Sequence, residues 1–359
     1  MQISDIVKKI NNKEDIRYSS NGNSFHIFTS KLNDKIAGYE IIIRLTGKCN
    51  YRCLYCVTEA NALDKKSILT IINKLSEADL SESRIVLSGG EPTISPIFLQ
   101  ILTKLVNSRC SEISVQTNAA MFSNKEFVSK LPIDSRISFY ISYPSSIKEK
   151  YNLITKSNCY DAAVKGIKNI SLRYAFNICI VVCSLNYRDI SSTIKFIEYL
   201  TGKSNFYVNI SNTYIETTVD IDSFIIKYSK VKEGISRAFS YAEKKKTKFL
   251  EFNLLNLSPQ QIESSSVQNL KYIRNIYPLA VVVSKSSDSS FPYCVLPSNS
   301  DISSSYAKTG NTFEVSYGSL DKKFYKSLKC LECKYDKLCP GFNVEYVKRF
   351  GTEEIIPFL

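Results

Sequence analysis

Three cysteines, Cys49, Cys53 and Cys56, stand close together in the sequence with the spacing C-x3-C-x2-C. This spacing places three thiols on one short polar loop. Thiolates are the ligands that iron–sulfur centres prefer, and three of them can hold three corners of a cubane cluster. No fourth cysteine is near, so the fourth iron would be open to a ligand from outside the protein.

Two other interpretations of the cysteine loop are weaker. A zinc ion would need a fourth donor, and the only histidine of the chain, His26, is not close to the loop. Incidental structural thiols are not expected on a polar loop that also carries Lys48 and Arg52. The scarcity of histidine also argues against a multi-histidine metal site and against histidine-based catalysis.

A second group of cysteines lies near the end of the chain. Cys330, Cys333 and Cys339 follow the spacing C-x2-C-x5-C, and Cys294 precedes them. Four thiolates could close around zinc or around a 4Fe–4S cluster that has no open position. The residues alone leave these two alternatives equal.

Bulk properties indicate a cytoplasmic protein without a membrane span. The chain has 359 residues and eleven cysteines, an odd and clustered set that suggests metal ligands in a reducing compartment more than a disulfide framework. Residues 1–13 lack the apolar centre of a signal peptide, and no run of eighteen apolar residues occurs.

Strand-like and helical patterns alternate through the first two-thirds of the chain. Six such units in a row predict a parallel α/β sheet, because parallel neighbours need crossover connections. The alternation fits an open doubly wound sheet and a barrel equally well. The strands are predicted at Tyr39–Thr46, Arg84–Leu87, Glu112–Thr117, Arg136–Ser142, Asn177–Val182 and Asn205–Ile210. Asp189 is predicted to cap the helix at Ile190–Leu200.

A glycine-rich turn, Ser88-Gly89-Gly90-Glu91-Pro92, follows the second predicted strand. Glycines after a strand let the backbone approach a ligand closely, and the carboxylate of Glu91 could accept from an ammonium group. Alone, this turn would be ordinary. Its position one strand–helix unit after the cysteine loop makes it a candidate binding motif.

The cysteine loop and this turn together resemble the radical S-adenosylmethionine (SAM) superfamily. The resemblance rests on Gly47–Cys56 and on Ser88–Pro92, and it covers about residues 39–216. It implies a partial (β/α)6 barrel with its site at the C-terminal ends of the strands. It also implies a 4Fe–4S cluster that cleaves SAM to a 5′-deoxyadenosyl radical. By the same resemblance, Tyr55 would lie near the adenine and Ser88–Pro92 along the methionine amino group.

Weaker parallels with the family concern three polar residues at strand ends. Gln116 and Asn118 stand in a turn that is similar to the family's TNG turn, with Ala119 in place of the glycine, and Ser142 falls where family members often contact the ribose. All three are candidate cofactor contacts. A structural cap would look the same.

The C-terminal cysteines resemble the auxiliary-cluster domains of the SPASM/Twitch group. No cysteine follows Cys339, so the resemblance implies the shorter Twitch form with one auxiliary 4Fe–4S cluster. The predicted organisation is an extension at 1–38, the core at 39–216, a bridging region at 217–289 and the auxiliary domain at 290–359. Cys179 and Cys183, an even number of residues apart, are expected to be core thiols, with hydrogen donation as the alternative.

The resemblance also limits the substrate, since the SPASM/Twitch group mostly modifies ribosomally made peptides. Crosslinking or epimerisation of such a peptide is the preferred function, and radical oxidation or rearrangement of a sugar or aminocyclitol is the alternative. The net charge of +13 would suit an acidic leader peptide, although a lysine-rich solvated surface explains it as well. Nucleic-acid modification is a third, less favoured function, because no RNA-binding module is evident. Expected partners are an electron donor such as flavodoxin or ferredoxin and a separate leader-binding protein.

Overall fold

Strands and helices alternate along one continuous sheet in the computed structural model of the chain. The structure describes residues 1–20, 24–32, 35–56, 63–204, 206–212, 224–245, 251–253, 324–333 and 341–357. The strands are β1 (Arg17–Ser19), β2 (Phe25–Leu32), β3 (Lys35–Arg44), β4 (Arg84–Ser88), β5 (Glu112–Thr117), β6 (Ile137–Ser142), β7 (Ala175–Val182), β8 (Tyr207–Asn212), β9 (Glu251–Asn253), β10 (Phe324–Tyr325) and β11 (Phe342–Asn343). The α-helices are α1 (Ile3–Asn11), α2 (Lys65–Leu75), α3 (Phe98–Val106), α4 (Lys125–Ser129), α5 (Lys148–Thr155), α6 (Tyr160–Ser171), α7 (Ile190–Thr201), α8 (Tyr228–Lys245) and α9 (Val344–Phe350).

The main sheet has nine strands in the order β1 to β9. The first three strands pair antiparallel, and β3 to β9 pair parallel. The six parallel strands predicted from the sequence are β3 to β8, so the prediction of an α/β partial barrel is confirmed. Because the strands are parallel, their C-terminal ends all meet at one edge of the sheet.

One face of this sheet is apolar and packs against the helices. Alternate residues of β3 to β7 point to it, among them Ile41, Leu87, Val115 and Phe139, which are fully buried in the main core. Each helix adds an apolar stripe, such as Ile68, Ile72 and Leu75 of α2. Burial of each such side chain stabilises the fold by roughly 1.5–3 kcal/mol.

The opposite face of the parallel strands is largely polar although it is buried. Arg44 pairs in register with Ser88, and Ser142 pairs with Cys179, which in turn pairs with Asn209. Deeper in the sheet, Arg84 forms an ion pair with Glu112. Burying polar groups within an apolar core costs free energy. This polar face instead faces the inside of the partial barrel.

The segment 1–38, predicted from the sequence to be an extension, contributes strands and a helix to the same sheet and its core. Helix α1 buries Ile6, Val7 and Ile10 in the main core. Strand β2 pairs antiparallel with β3 along eight residues. His26 lies on β2, buried, with its Nδ1 2.8 Å from the hydroxyl of Ser19.

Several element boundaries match the sequence pattern, and one capping role does not. Strand β5 has the predicted limits, and β4 and β6 each differ from theirs by one residue at one end. Asp189 stands at the N-cap position of α7, but its side chain makes no capping hydrogen bond. It forms an ion pair with Lys150 instead. The side-chain cap predicted for Asp189 is therefore wrong, because an ion pair with α5 takes the carboxylate.

The last described segment packs against α8. The ring of Tyr346 on α9 stacks on that of Tyr228 with centroids 3.9 Å apart, and the Tyr346 hydroxyl accepts from the Tyr228 backbone N–H. Glu354 accepts from the same N–H and from that of Ser229. These bonds satisfy N–H groups at the start of α8 that have no partner within the helix.

No helix within the described ranges is both long and apolar enough to cross a bilayer.

Candidate functional site

The cysteine loop leaves β3 at the C-terminal edge of the sheet, as the sequence predicts. Cys49 and Cys56 are exposed and Cys53 is half-buried. The backbone N–H of Tyr51 donates to the Cys49 sulfur at 3.3 Å, and that of Cys56 donates to the Cys53 carbonyl at 3.0 Å. The three thiols are therefore presented on one tightly turned segment.

Helix α5 supports the loop from the side. Arg52 donates its backbone N–H to the Thr155 carbonyl at 3.0 Å, and Leu54 donates to the Ile154 carbonyl at 2.9 Å. Tyr51 is buried and its hydroxyl lies 3.1 Å from that of Tyr151. The tyrosine therefore anchors the middle of the loop in the core.

Two thiols of this loop, those of Cys49 and Cys53, have a raised pKa and hold their protons more strongly than free cysteine does. Burial raises the pKa of Cys53 to about 12, and desolvation by the surrounding loop raises the pKa of Cys49 to about 11. The neighbouring thiols of the loop add to both shifts by charge repulsion. A metal centre must therefore displace protons from these groups when it binds.

The donor set fits an iron–sulfur cluster. Among the described residues no three His, Cys, Asp or Glu side chains converge as ligands of a single ion would. A cubane does not require such convergence, because each thiolate binds a different iron. Cys49, Cys53 and Cys56 supply three soft ligands within eight residues of one tightly turned loop.

The two glycines of the Ser88–Pro92 turn lie against the cysteine loop. A Cβ on Gly89 would stand 2.3 Å from the Thr46 carbonyl oxygen, and one on Gly90 would stand 2.2 Å from that of Lys48. Gly90 donates its N–H to the Thr46 carbonyl at 2.7 Å. The sequence predicted a close approach to a ligand; the structure adds a close approach to the backbone that leads into Cys49.

Glu91 is buried and joins two loops. Its carboxylate accepts from the hydroxyl of Thr93 at 2.5 Å, from the hydroxyl of Thr117 at 2.7 Å and from the backbone N–H of Asn118 at 2.7 Å. Burial raises the pKa of Glu91, and these hydrogen bonds oppose the rise. Pro92 begins a short 3₁₀ helix, Pro92–Ile94, that Glu91 caps. The predicted contact of Glu91 with a cofactor ammonium stays a prediction.

Ser88 and Gln116 meet on the polar face of the sheet. The Ser88 hydroxyl donates to Oε1 of Gln116 at 2.6 Å. Both residues lie at the C-terminal ends of their strands, where the sequence analysis expects cofactor contacts. The structure brings them together directly below the Gly89–Gly90 turn.

Tyr55 and Ser142 also pair with each other. The Tyr55 hydroxyl lies 2.9 Å from the Ser142 hydroxyl, and the ring of Phe224 stands 6.4 Å from the Tyr55 ring. The predicted adenine contact and the predicted ribose contact are therefore neighbours. Cys179 stands beside Ser142 in register.

Cys179 and Cys183 are both buried, as expected for core thiols, but they belong to different clusters. Cys179 is part of the main core, whereas Cys183 packs with Ile154 and Phe224 just after β7 ends. Burial raises the pKa of Cys183 to about 12.

Of the predicted C-terminal ligands, the structure describes Cys330 and Cys333. Both are half-buried, and the N–H of Cys333 donates to the Cys330 carbonyl at 3.0 Å. Gly341 has a φ of 94° and lies against the Tyr325 carbonyl, where β10 pairs with β11. Cys294 and Cys339 lie outside the described residues, as does most of the predicted bridging region 217–289.

Two residues of the site were not singled out from the sequence. Asn50 accepts from the side chain of Asn118 at 2.8 Å, and Thr117 donates to Glu91. A polar residue between two ligand cysteines is the only signal for Asn50. Thr117 looks like any strand residue in the sequence.

A family model described as the radical SAM superfamily matches residues 43–197. The chain contains a radical SAM domain. This range includes the cysteine loop, the Ser88–Pro92 turn and strands β4 to β7.

Curated relatives match the chain over about half of its length. A probable GTP 3′,8-cyclase of Saccharolobus islandicus is 27% identical over 168 residues, which is 44% of this chain and 52% of that protein. A probable GTP 3′,8-cyclase of Methanocaldococcus jannaschii is 27% identical over 206 residues, 52% of this chain and 68% of that protein. The chain thus spans about half to two-thirds of the length of these relatives.

Solved structures of Streptococcus suis SuiB share the fold over more of the chain. SuiB bound to its precursor peptide SuiA aligns with a TM-score of 0.54 and 16% identity, covering 91% of this chain and 75% of SuiB. SuiB bound to S-adenosylmethionine aligns with a TM-score of 0.53 over 89% of this chain and 76% of SuiB. At this identity the likeness concerns the fold of the radical SAM domain and its surroundings.

The close approach of Gly90 to the cysteine loop makes a prediction. Gly90→Ala should displace Thr46–Lys48, because its Cβ would overlap the Lys48 carbonyl. Such overpacking costs roughly 1–3 kcal/mol of unfolding free energy. We expect a large loss of iron bound after anaerobic reconstitution.

Gly234→Ala on α8 is the matched control, since its Cβ would overlap the Tyr187 carbonyl away from the loop. It should lower the urea midpoint by a similar amount and leave iron binding at the cysteine loop unchanged. Wild-type iron content in Gly90→Ala would contradict the positioning role of the glycine.

Proposed function

We propose that this chain is a radical SAM enzyme whose cluster is held by Cys49, Cys53 and Cys56. The observation that carries the proposal is the attachment of the three-thiol loop to the Gly89–Glu91 backbone at the C-terminal edge of the parallel strands. When bound, a 4Fe–4S cluster supplies the electron that splits SAM into methionine and a 5′-deoxyadenosyl radical, which removes a hydrogen atom from the substrate.

The residues around the loop have complementary tasks in this proposal. Cys49 and Cys56 are exposed, which leaves room for a ligand above the loop. The Ser88–Pro92 turn holds the backbone beside that space. Tyr55 and Ser142, whose hydroxyls face each other, are placed for the adenosine part of SAM, and an external donor such as flavodoxin or ferredoxin supplies the electron.

Replacing Cys49, Cys53 or Cys56 by Ala removes one of three cluster ligands. We expect each variant to lose the cluster at this loop and all production of 5′-deoxyadenosine, measured by chromatography after anaerobic reconstitution with SAM and dithionite. Cys110→Ala, a buried cysteine beside Arg136 and outside both cysteine groups, is the control and should keep the activity. Retained 5′-deoxyadenosine in a loop variant would refute the ligand assignment.

We include in the proposal one auxiliary 4Fe–4S cluster held by Cys330, Cys333, Cys339 and Cys294. The support is the spacing of these cysteines together with the half-buried position of Cys330 and Cys333 on one short turn. Four thiolates would close the coordination, so this cluster would serve electron transfer or structure and would not bind SAM.

The assignment of Cys330 to an auxiliary cluster predicts that replacing it removes the iron of that cluster alone. Cys330→Ala should lower the iron content by about one cluster of two and leave some cleavage of SAM without substrate. Iron and zinc are counted together by mass spectrometry. Unchanged iron, or a stoichiometric loss of zinc in place of iron, would contradict the auxiliary cluster.

For the substrate we propose a ribosomally made peptide that becomes crosslinked or epimerised. SuiB, whose known complex contains the precursor peptide SuiA, resembles 91% of this chain in fold. The formal charge of +13 suits an acidic leader segment. Cyclisation of GTP is the second candidate, because the curated relatives carry that name. Their sequence likeness extends over 44–52% of this chain.

The two substrate classes can be compared directly. Reconstituted protein is incubated with SAM and dithionite, and with either GTP or each short peptide that is encoded near its gene. We expect the peptide to stimulate 5′-deoxyadenosine formation and to lose two hydrogen atoms, or to take up deuterium from heavy water if it is epimerised. Conversion of GTP with an unchanged peptide would contradict the peptide proposal and support the second candidate.

A further inference from the structure

Asn118 connects three loops at the C-terminal edge of the sheet. Its backbone N–H donates to Oε2 of Glu91 at 2.7 Å, its Oδ1 accepts from the N–H of Ala120 at 3.0 Å, and its Nδ2 donates to Oδ1 of Asn50 at 2.8 Å. The residue is only 6% exposed. One side chain therefore ties the turn after β5 to the cysteine loop, while its backbone is tied to the turn after β4.

The orientation of this amide follows from its partners. A backbone N–H can only donate, so the atom facing Ala120 must be the oxygen of the Asn118 side chain. The nitrogen then points at the cysteine loop. Besides its bond to Asn50, it lies 4.0 Å from the Cys49 sulfur. Both hydrogens of the amide are thus directed toward the segment that carries the first ligand cysteine.

Asn50 is the residue that this bond holds. It follows Cys49 directly and is exposed, and its Oδ1 also lies 4.0 Å from the Cys49 sulfur. The Cys49 sulfur already accepts the N–H of Tyr51 at 3.3 Å. A second, longer N–H contact from Asn118 approaches the same sulfur. The hydrogen bond between Asn50 and Asn118 joins residues that are 68 positions apart in the sequence. It connects the cysteine loop after β3 with the turn after β5.

We propose that Asn118 is a positioning residue for the cysteine loop: it fixes Asn50 and directs an N–H at the Cys49 sulfur. The competing assignment is the direct cofactor contact expected from the sequence; the side-chain nitrogen of Asn118 faces the loop, which favours the positioning role. The inference rests on the proposed function in one respect, which is that the cysteine loop binds a cluster. N–H contacts to a ligating sulfur stabilise the reduced, more negative cluster and raise its reduction potential.

The order of the loop can be measured without any cluster. In the metal-free protein, hydrogen exchange of the peptide covering residues 46–56 reports the bonds made by the N–H groups of Arg52 and Leu54. Asn118→Ala should speed this exchange about fivefold, the effect of one ordinary hydrogen bond. Asn50→Ala, at an exposed position, should give the same increase. The double variant should exchange no faster than either single one, because both changes remove one interaction.

Two further variants serve as comparisons. One tests whether the N–H donors of Asn118 matter rather than its shape, and the other tests whether any loosening of the turn after β5 has the same effect. Asn118→Asp keeps the shape and the acceptor for Ala120 but replaces the donor with an acceptor that faces Asn50. Asn169→Ala is the matched control: its amide donates to the Phe122 carbonyl at 2.8 Å and supports the same turn from α6, without touching the cysteine loop. Asn169→Ala should leave exchange of residues 46–56 unchanged.

The second measurement is the midpoint potential of the reconstituted cluster, titrated without SAM. Asn118→Ala should lower the potential, Asn118→Asp should lower it further, and Asn169→Ala should leave it at the wild-type value. Unchanged loop exchange in Asn118→Ala and Asn50→Ala would overturn the proposal. Weaker SAM binding with normal exchange and potential would also overturn it and restore the cofactor contact. If the wild-type chain binds no iron–sulfur cluster, the proposed function fails, while the exchange data still decide the role of Asn118.

Discussion

The attachment of the cysteine loop to the backbone of the neighbouring turn is the constraint on which the site depends. Gly90 and Glu91 donate their N–H groups to the carbonyls of Thr46 and Lys48, at 2.7 and 2.9 Å. These bonds can form only because Gly89 and Gly90 have no side chain where the turn touches the backbone of Thr46 and Lys48. The loop is therefore carried by the sheet, whose strands are held by an apolar core, and its thiols stand at a defined place above the polar face.

Hydrogen bonds also attach the rest of the site to the ends of the adjacent strands. The carboxylate of Glu91 joins the turns after β4 and β5, and Ser142 at the end of β6 meets Tyr55 of the cysteine loop. Four consecutive parallel strands thus contribute to one edge. A reactive intermediate needs groups that do not move during the reaction, and groups at the ends of packed strands meet that need better than groups on free loops.

Much of this arrangement is predictable from the sequence because it depends on local patterns. The spacing of Cys49, Cys53 and Cys56, the Ser88–Pro92 turn and the alternating apolar strands are all readable within a few residues. Contacts that require two distant loops to meet are not readable in this way. The sequence around Asn50 does not indicate that Asn118 donates to it. The sequence around Asp189 predicts a helix cap, because it does not show that α5 brings Lys150 beside the carboxylate. The strands β1 and β2 are also hard to foresee, because β1 has only three residues and pairs with β2, which in turn pairs with β3.

The central claim is an iron centre at the cysteine loop with a position open to SAM. Electron paramagnetic resonance of the anaerobically reconstituted, dithionite-reduced protein, recorded with and without SAM, tests it most directly. We expect the signal of a reduced 4Fe–4S cluster whose shape changes when SAM is added, and no such change in Cys53→Ala. Zinc at this loop, or a cluster signal that stays the same with saturating SAM, would contradict it.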